Sequence, residues 1–239
     1  MVQLLSMAPS TLRANSPVRG IAEVLHAATV LGHDAWTSKP MTRNDPPSEV
    51  QLSRDVLQLF SLLRDRGVPY LLVGGIALLR YIEGRNTQDI DLVLSASALS
   101  QLPELVLSDQ NRDFARGHFE SLRVDVRFTE NPLFRLVHDH YATAHQFKEV
   151  EVRIATVEGL VLLKMYALPA LYLQGDGQRI ALYEADITML CQRYRPAVEP
   201  LLHTLTAFVE AAPMQELRNI ANDIQRRIER MDRAKHPSG

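Results

Sequence analysis

The hydrophobic pattern of this chain changes character near residue 156, and this change restricts the fold more than any other feature of the sequence. Before it, short apolar runs and strict alternation are typical of β-strands separated by brief helices. After it, apolar residues recur at helical spacing almost to the end of the chain. The pattern predicts an α/β (α+β) protein, in which a mixed sheet with flanking helices is followed by an α-helical C-terminal half.

Two boundaries divide the 239 residues into three predicted regions. Residues 1–47 contain scattered prolines and end in a polar turn. They predict a partly disordered N-terminal arm, or equally an upstream segment without a fold of its own. Ser48–Gln51 has the capping-box pattern that opens a helix. We therefore place an α/β domain at 48–155 and a helical domain at 156–239.

Composition excludes several classes of protein. A net charge of −2 excludes a strongly basic nucleic-acid coat and a polybasic membrane binder, although a local basic patch remains compatible with it. Cys191 is the single cysteine, so the chain has no intrachain disulfide and no multi-cysteine metal site. The sequence has no apolar stretch of bilayer-spanning length and no signal-peptide pattern. We expect a cytoplasmic protein with no membrane partner.

Local patterns predict the individual elements. Buried or alternating runs predict strands at Val68–Val73, Ile90–Leu94, Phe114–Phe119, Leu122–Phe128 and Val150–Ile154. Helical spacing predicts helices near 76–81 and 96–105, after Asn131-Pro132, and at 157–168, 179–193, 197–211 and 214–233.

A pair of aspartates is the first feature that indicates chemistry. Asp89 and Asp91 stand two residues apart on a predicted strand, so their side chains point to the same face, opposite Ile90 and Leu92. Neighbouring carboxylates repel each other unless a cation lies between them. Hard oxygen ligands of this kind suit Mg²⁺, which commonly takes one or two carboxylates together with substrate phosphates.

A pair of glycines precedes these aspartates. Gly74 and Gly75 end a predicted buried strand and open a helix. Glycines at such a position let backbone N–H groups approach a phosphate closely. A backbone site for phosphate, followed by metal-binding carboxylates, provides the groups that phosphoryl transfer uses.

A third carboxylate, Asp125, has two interpretations. It alternates with apolar residues on the predicted strand and shares its polar face with Arg123 and Arg127. It could complete the metal site or accept the proton of an attacking hydroxyl. Alternatively, the three residues form a solvated arginine–aspartate ladder. The aspartate pair upstream favours the first interpretation.

Together these residues resemble the nucleotidyltransferase superfamily, which has the polymerase-beta-like fold. Val73-Gly74-Gly75, a spacer of thirteen residues and Asp89-Ile90-Asp91-Leu92 match its signature in order and spacing, and Asp125 matches its third acid. The segments Arg85–Leu92 and Ile154–Lys164 further resemble AbiEii-like and MenT toxins. The resemblance covers about residues 50–195.

This resemblance implies a function and a set of site residues. The enzyme would transfer NMP from an NTP to an acceptor hydroxyl, with Mg²⁺ as cofactor and Mn²⁺ as the alternative cation. It would be the toxin of a toxin–antitoxin or phage-defence pair, with a cognate antitoxin as partner and the tRNA 3′ end as acceptor. The implied metal ligands and catalytic carboxylates are Asp89, Asp91 and Asp125. The implied nucleotide-binding residues are Gly74, Gly75, Arg85, Thr87 and Lys164, and the helical Lys164 and Asp186 complete the catalytic set.

Alternatives remain at two levels. Lys164 lies in an apolar stripe, where a charge must be paired, so Lys164 and Asp186 could form only a structural ion pair between helices. The whole protein could instead be a nucleotide-binding regulatory or antitoxin module without turnover, or a nucleotidyltransferase that modifies a small molecule such as an antibiotic. The apolar stretch 169–179 departs from the charged linker of the toxin family, and it bears on the acceptor rather than on the chemistry.

Overall fold

The computed structural model describes residues 49–82, 87, 89–147 and 150–235 of the chain. The predicted N-terminal arm at 1–47 lies outside the described residues. Arg85, which the family resemblance assigns to nucleotide binding, also lies outside them. The fold and the site are therefore described from the remaining residues.

A mixed sheet of seven strands, counted over the described ranges, forms the first half of the structure. The strands are β1 (Leu71–Val73), β2 (Asp89–Leu94), β3 (Val106–Gln110), β4 (Phe114–Phe119), β5 (Leu122–Phe128), β6 (Ala142–Phe147) and β7 (Val150–Ala155). Their order across the sheet is β3-β4-β5-β2-β1-β7-β6. β2 runs parallel to β5 and β1 runs parallel to β7, whereas the other neighbours are antiparallel. This order places β2 and β1 at the centre.

Helices flank the sheet and then form the second half. They are α1 (Glu49–Asp65), α2 (Gly74–Leu78), α3 (Ala96–Leu99), α4 (Pro132–His140), α5 (Val157–Gln174), α6 (Gly177–Tyr194), α7 (Val198–Leu205) and α8 (Ala211–Lys235). The Thr156 side chain caps α5 by accepting from the backbone N–H of Gly159, and α5 ends at Gly175 in the left-handed conformation. Asp176 then caps α6. Local sequence thus fixes the sharp turn between these two helices.

One apolar core joins the two halves. Buried residues of the sheet, such as Val124, belong to the same cluster as Leu162 of α5, Ile187 of α6 and Ile228 of α8. The α-helical C-terminal half and the mixed sheet agree with the predicted fold class. The domain boundaries at 48, 155 and 156 stay predictions.

Some predicted elements differ from the structure. The prediction of a helix over 96–105 is wrong beyond Leu99, where the helix ends. Pro103 disfavours helical geometry at the residue before it. β3 is exposed along its whole length, so it carries no apolar alternation that a sequence pattern could detect. β6 was also missed. The helix predicted at 157–168 is longer in the structure, where α5 continues past Pro169 to Gln174.

None of the helices in the described part of the chain is both long enough and apolar enough to span a membrane.

Candidate active site

Asp89 and Asp91 share the polar face of the central strand β2, as predicted. Ile90 and Leu92 alternate with them and are completely buried on the opposite face. Since β2 lies between β1 and β5, residues of both neighbours flank the two carboxylates.

The register of β2 against β5 brings the third carboxylate to the pair. Asp91 is aligned with Asp125 and Asp89 with Arg123 in this parallel pairing. Asp125 alternates with the buried Val124 and so lies on the same face as the aspartates of β2. The predicted neighbouring-strand position of Asp125 is confirmed, and its chemical role stays a prediction.

The glycine pair packs against Asp91 and Thr87. Val73, the last residue of β1, is aligned with Asp91, and Gly74 follows it at a φ of 65°. A Cβ atom at Gly74 would overlap the carboxylate of Asp91, and one at Gly75 would lie 2.5 Å from Oγ1 of Thr87. The structure therefore packs Gly74 against Asp91, and Gly75 against Thr87, whose hydroxyl donates to the backbone carbonyl of Asp89.

An arginine pairs with each of the three carboxylates. Nε of Arg123 lies 2.9 Å from Oδ1 of Asp89, and Nη1 of Arg127 lies 2.8 Å from Oδ1 of Asp91. Arg116 of β4 donates to both oxygens of Asp125, at 2.9 Å and 3.2 Å. The sequence offered an arginine–aspartate ladder within β5 as an alternative, but the structure forms these ion pairs between neighbouring strands. The sequence analysis did not identify Arg116 as a partner of Asp125.

Carboxylate groups are concentrated at this face. Burial raises the pKa of Asp89 above its ordinary value. The carboxylates of Asp125 and Asp91 act in the same direction, whereas Arg123 opposes them. Three carboxylates this close need cations near them, and guanidinium groups provide the charge here.

The residues fit a hard divalent cation. Hard carboxylate oxygens share one face, and the absence of a Cβ atom at Gly74 makes room for the carboxylate of Asp91. In the described ranges, no three acidic, histidine or cysteine side chains already form a metal-binding group. A metal ion that binds the same carboxylate oxygens as the arginines would have to displace the guanidinium groups.

Lys164 and Asp186 form a buried ion pair between α5 and α6. Nζ of Lys164 lies 2.8 Å from Oδ2 of Asp186, and 4.0 Å from the centre of the Tyr183 ring. The sequence predicted the burial of Lys164 and offered an ion pair with Asp186 as one of two interpretations. The structure contains this pair, and the catalytic role of the two residues stays a prediction. The contact of Tyr183 with Lys164 was not predicted, since periodicity does not reveal a contact with a cation on another helix.

Comparison with known proteins supports the fold. No protein-family model matches the sequence, and no curated protein matches it. The structure is similar to a crystal structure of an antigenic nucleotidyltransferase-like protein from Paracoccidioides brasiliensis, with a TM-score of 0.53 and 19% identity over 80% of this chain and 94% of that one. It is less similar to ANT(2″)-Ia in complex with adenylyl-2″-tobramycin, with a TM-score of 0.44 and 13% identity over 76% and 99% of the two chains. At this identity the first likeness shows the fold alone: the chain has the nucleotidyltransferase fold.

Proposed function

We propose that this chain is a metal-dependent nucleotidyltransferase, which transfers NMP from an NTP to an acceptor hydroxyl. One observation carries the proposal: Asp89, Asp91 and Asp125 share one face of adjacent strands, beside a glycine that packs against Asp91. The nucleotidyltransferase fold supports an enzyme of this kind. The ordered sequence signature supports it independently.

The reaction assigns a task to each group. The acceptor oxygen bonds to the α-phosphorus of the NTP, the bond from that phosphorus to the bridging oxygen breaks, and pyrophosphate leaves. Asp89 and Asp91 would hold Mg²⁺ or Mn²⁺, which supplies positive charge to the triphosphate when bound. Asp125 would add a metal ligand or take the proton of the acceptor hydroxyl.

The glycines and cations would position the triphosphate. Gly74 and Gly75 would let the backbone approach the phosphates. Thr87 lies against Gly75. Lys164 would neutralise phosphate charge, with Asp186 holding its ammonium group in place. The family resemblance gives Arg85 the same charge-neutralising task.

We propose that the acceptor is the 3′ end of tRNA. We also propose that the protein is a toxin that acts with a cognate antitoxin. This finer proposal rests on the segments that resemble AbiEii-like and MenT toxins, Arg85–Leu92 and Ile154–Lys164. Tyr172 and Leu173 expose apolar surface at the end of α5, within the stretch that departs from that family. An acceptor other than tRNA would be expected to contact this stretch.

The test is nucleotidyl transfer by the purified chain. Each α-phosphate-labelled NTP is supplied with Mg²⁺ and total tRNA, and the Asp89→Asn/Asp91→Asn variant is compared with the wild type. We expect the wild type to label RNA, and the variant to lose at least about a hundredfold in rate because it loses the metal ligands. Asp65→Asn, at an exposed position, is the matched control.

The outcomes separate the alternatives. Pyrophosphate release with a small molecule, but no labelled RNA, would assign the acceptor to the antibiotic-modifying class. Nucleotide binding without turnover on RNA, protein or small molecules would instead favour a regulatory module. Equal rates for the wild type and the double variant would contradict the proposed site.

A further inference from the structure

The ion pair between Arg127 and Asp91 is the most enclosed of the three arginine pairs at the candidate site. The Arg127 side chain is 20% exposed and that of Asp91 13%, whereas more than half of Arg116 and Arg123 is exposed. The Arg127 guanidinium is therefore enclosed against one of the proposed metal ligands.

Arg127 and a metal ion cannot both neutralise Asp91 without repelling each other. Nη1 of Arg127 lies 2.8 Å from Oδ1 of Asp91, whereas Mg²⁺ binds carboxylate oxygens at about 2.1 Å. A guanidinium does not lose its proton at any ordinary pH, so it cannot give way by becoming neutral. Arg127 has to move away from Oδ1 when a metal binds there.

The balance of charges at the site favours a new partner for Arg127 when a metal ion binds. With every pair intact, three aspartates cancel three arginines and Asp186 cancels Lys164, so these groups offer a triphosphate no net positive charge. A divalent cation that replaces Arg127 at Asp91 frees one guanidinium. The planar guanidinium is well suited to bind phosphate oxygens in a bidentate way.

We propose that Arg127 exchanges partners during substrate binding: it neutralises Asp91 before the metal arrives, and it binds the triphosphate once the metal has taken Asp91. This inference rests on the proposed function, since it assigns to Arg127 a nucleotide-binding task in the same site. Arg127 would therefore compete with the metal ion when no nucleotide is present, and it would help to bind the nucleotide when the metal ion is already bound.

The experiment measures both tasks by calorimetry on the full chain. Mn²⁺ is first titrated alone into wild type, Arg127→Met and Arg127→Lys. Each NTP analogue that has a non-cleavable α–β linkage is then titrated into the Mn²⁺-saturated proteins. Arg127→Met is expected to bind Mn²⁺ alone about tenfold more tightly, because the metal-free protein loses a charge-assisted pair with Asp91. Once Mn²⁺ is bound, it is expected to bind the nucleotide about tenfold more weakly, because that state loses a charge-assisted contact with phosphate. Arg127→Lys is expected to restore part of both effects.

Arg66→Met is the matched control, since it breaks an arginine pair with Glu104 that involves none of the site aspartates. It should leave both affinities unchanged. Thermal unfolding with and without Mn²⁺ shows whether Arg127→Met is folded, and we expect Mn²⁺ to raise its Tm more than that of the wild type. The lysine variant carries the test if the methionine variant fails to fold.

Opposite shifts of the two affinities support the exchange. Unchanged or weaker Mn²⁺ binding by Arg127→Met would overturn it, because a purely structural arginine predicts that result. Tighter Mn²⁺ binding with unchanged nucleotide binding would also overturn it. Failure of nucleotidyl transfer with the opposite shifts intact would count against the proposed function and not against the exchange.

Discussion

At the scale of single residues, Gly74 determines how closely the backbone approaches the candidate site. It follows the last residue of β1 at a φ of 65°, a conformation that residues with a Cβ atom rarely adopt. A Cβ atom there would also overlap the carboxylate of Asp91. Glycine is therefore required at this position for two separate reasons, one in the backbone and one in the site.

The two reasons can be separated by mutation. Gly74→Ala is expected to lower the free energy of unfolding by more than the roughly 1–2 kcal/mol of backbone strain alone, and to abolish transfer by displacing Asp91. Gly67→Ala is the matched control, because Gly67 has a φ of 61° and open space around it. It should show the strain alone and keep its activity. Chemical denaturation and the transfer assay measure both variants, and equal behaviour of the two would contradict this account.

At the scale of elements, the pair of Lys164 and Asp186 joins α5 to α6. The two helices pack against each other, and both charges are buried between them. A buried charge without its partner is costly, so the pair constrains how α5 and α6 are aligned. The same lysine is the residue that the family resemblance assigns to the triphosphate.

A double substitution distinguishes the structural role from the functional one. Lys164→Met is expected to lower the free energy of unfolding by about 3–5 kcal/mol, because it leaves Asp186 buried without its cation. Lys164→Met/Asp186→Leu should regain most of that stability but not transfer activity. Recovery of transfer in the double variant would show that the pair is only structural. Denaturation curves and transfer rates on the same preparations supply the comparison.

At the scale of the whole molecule, the shared core makes the helical half depend on the sheet. Cys191 of α6 lines a small cavity of about 120 Å³ with residues of α5, α7 and α8, including Met165, Leu202 and Ile224. Burial raises the pKa of its thiol to about 11. As the single cysteine of the chain, it reports on the opening of these helices.

The reactivity of this thiol is therefore a test of the packing. At pH 8, about one thiol in a thousand would be ionised in the folded protein, whereas an ordinary cysteine is ionised far more often. We expect Cys191 to react with a disulfide reagent at least about a hundredfold more slowly in the native protein than in guanidinium. The reagent's absorbance follows both rates. Rapid native reaction would mean that α6 does not stay packed against its neighbours.

The sequence determined much of the fold because its strongest patterns have local causes. Alternation placed Asp89 and Asp91 on one face of β2, and it separated Asp125 from the buried Val124 on β5. Helical periodicity predicted that Lys164 is buried and paired. Exposed β3 escaped detection, since a strand without a buried face has no apolar period.

Only the tertiary structure decided which side chains meet. The register between β2 and β5 sets Arg123 beside Asp89 and Arg127 within reach of Asp91, and β4 supplies Arg116 to Asp125. Registers depend on contacts between segments far apart in the chain, and such contacts have no period in the sequence. The candidate catalytic aspartates could therefore be predicted from the sequence. The arginines that pair with them were determined by the packing of the strands.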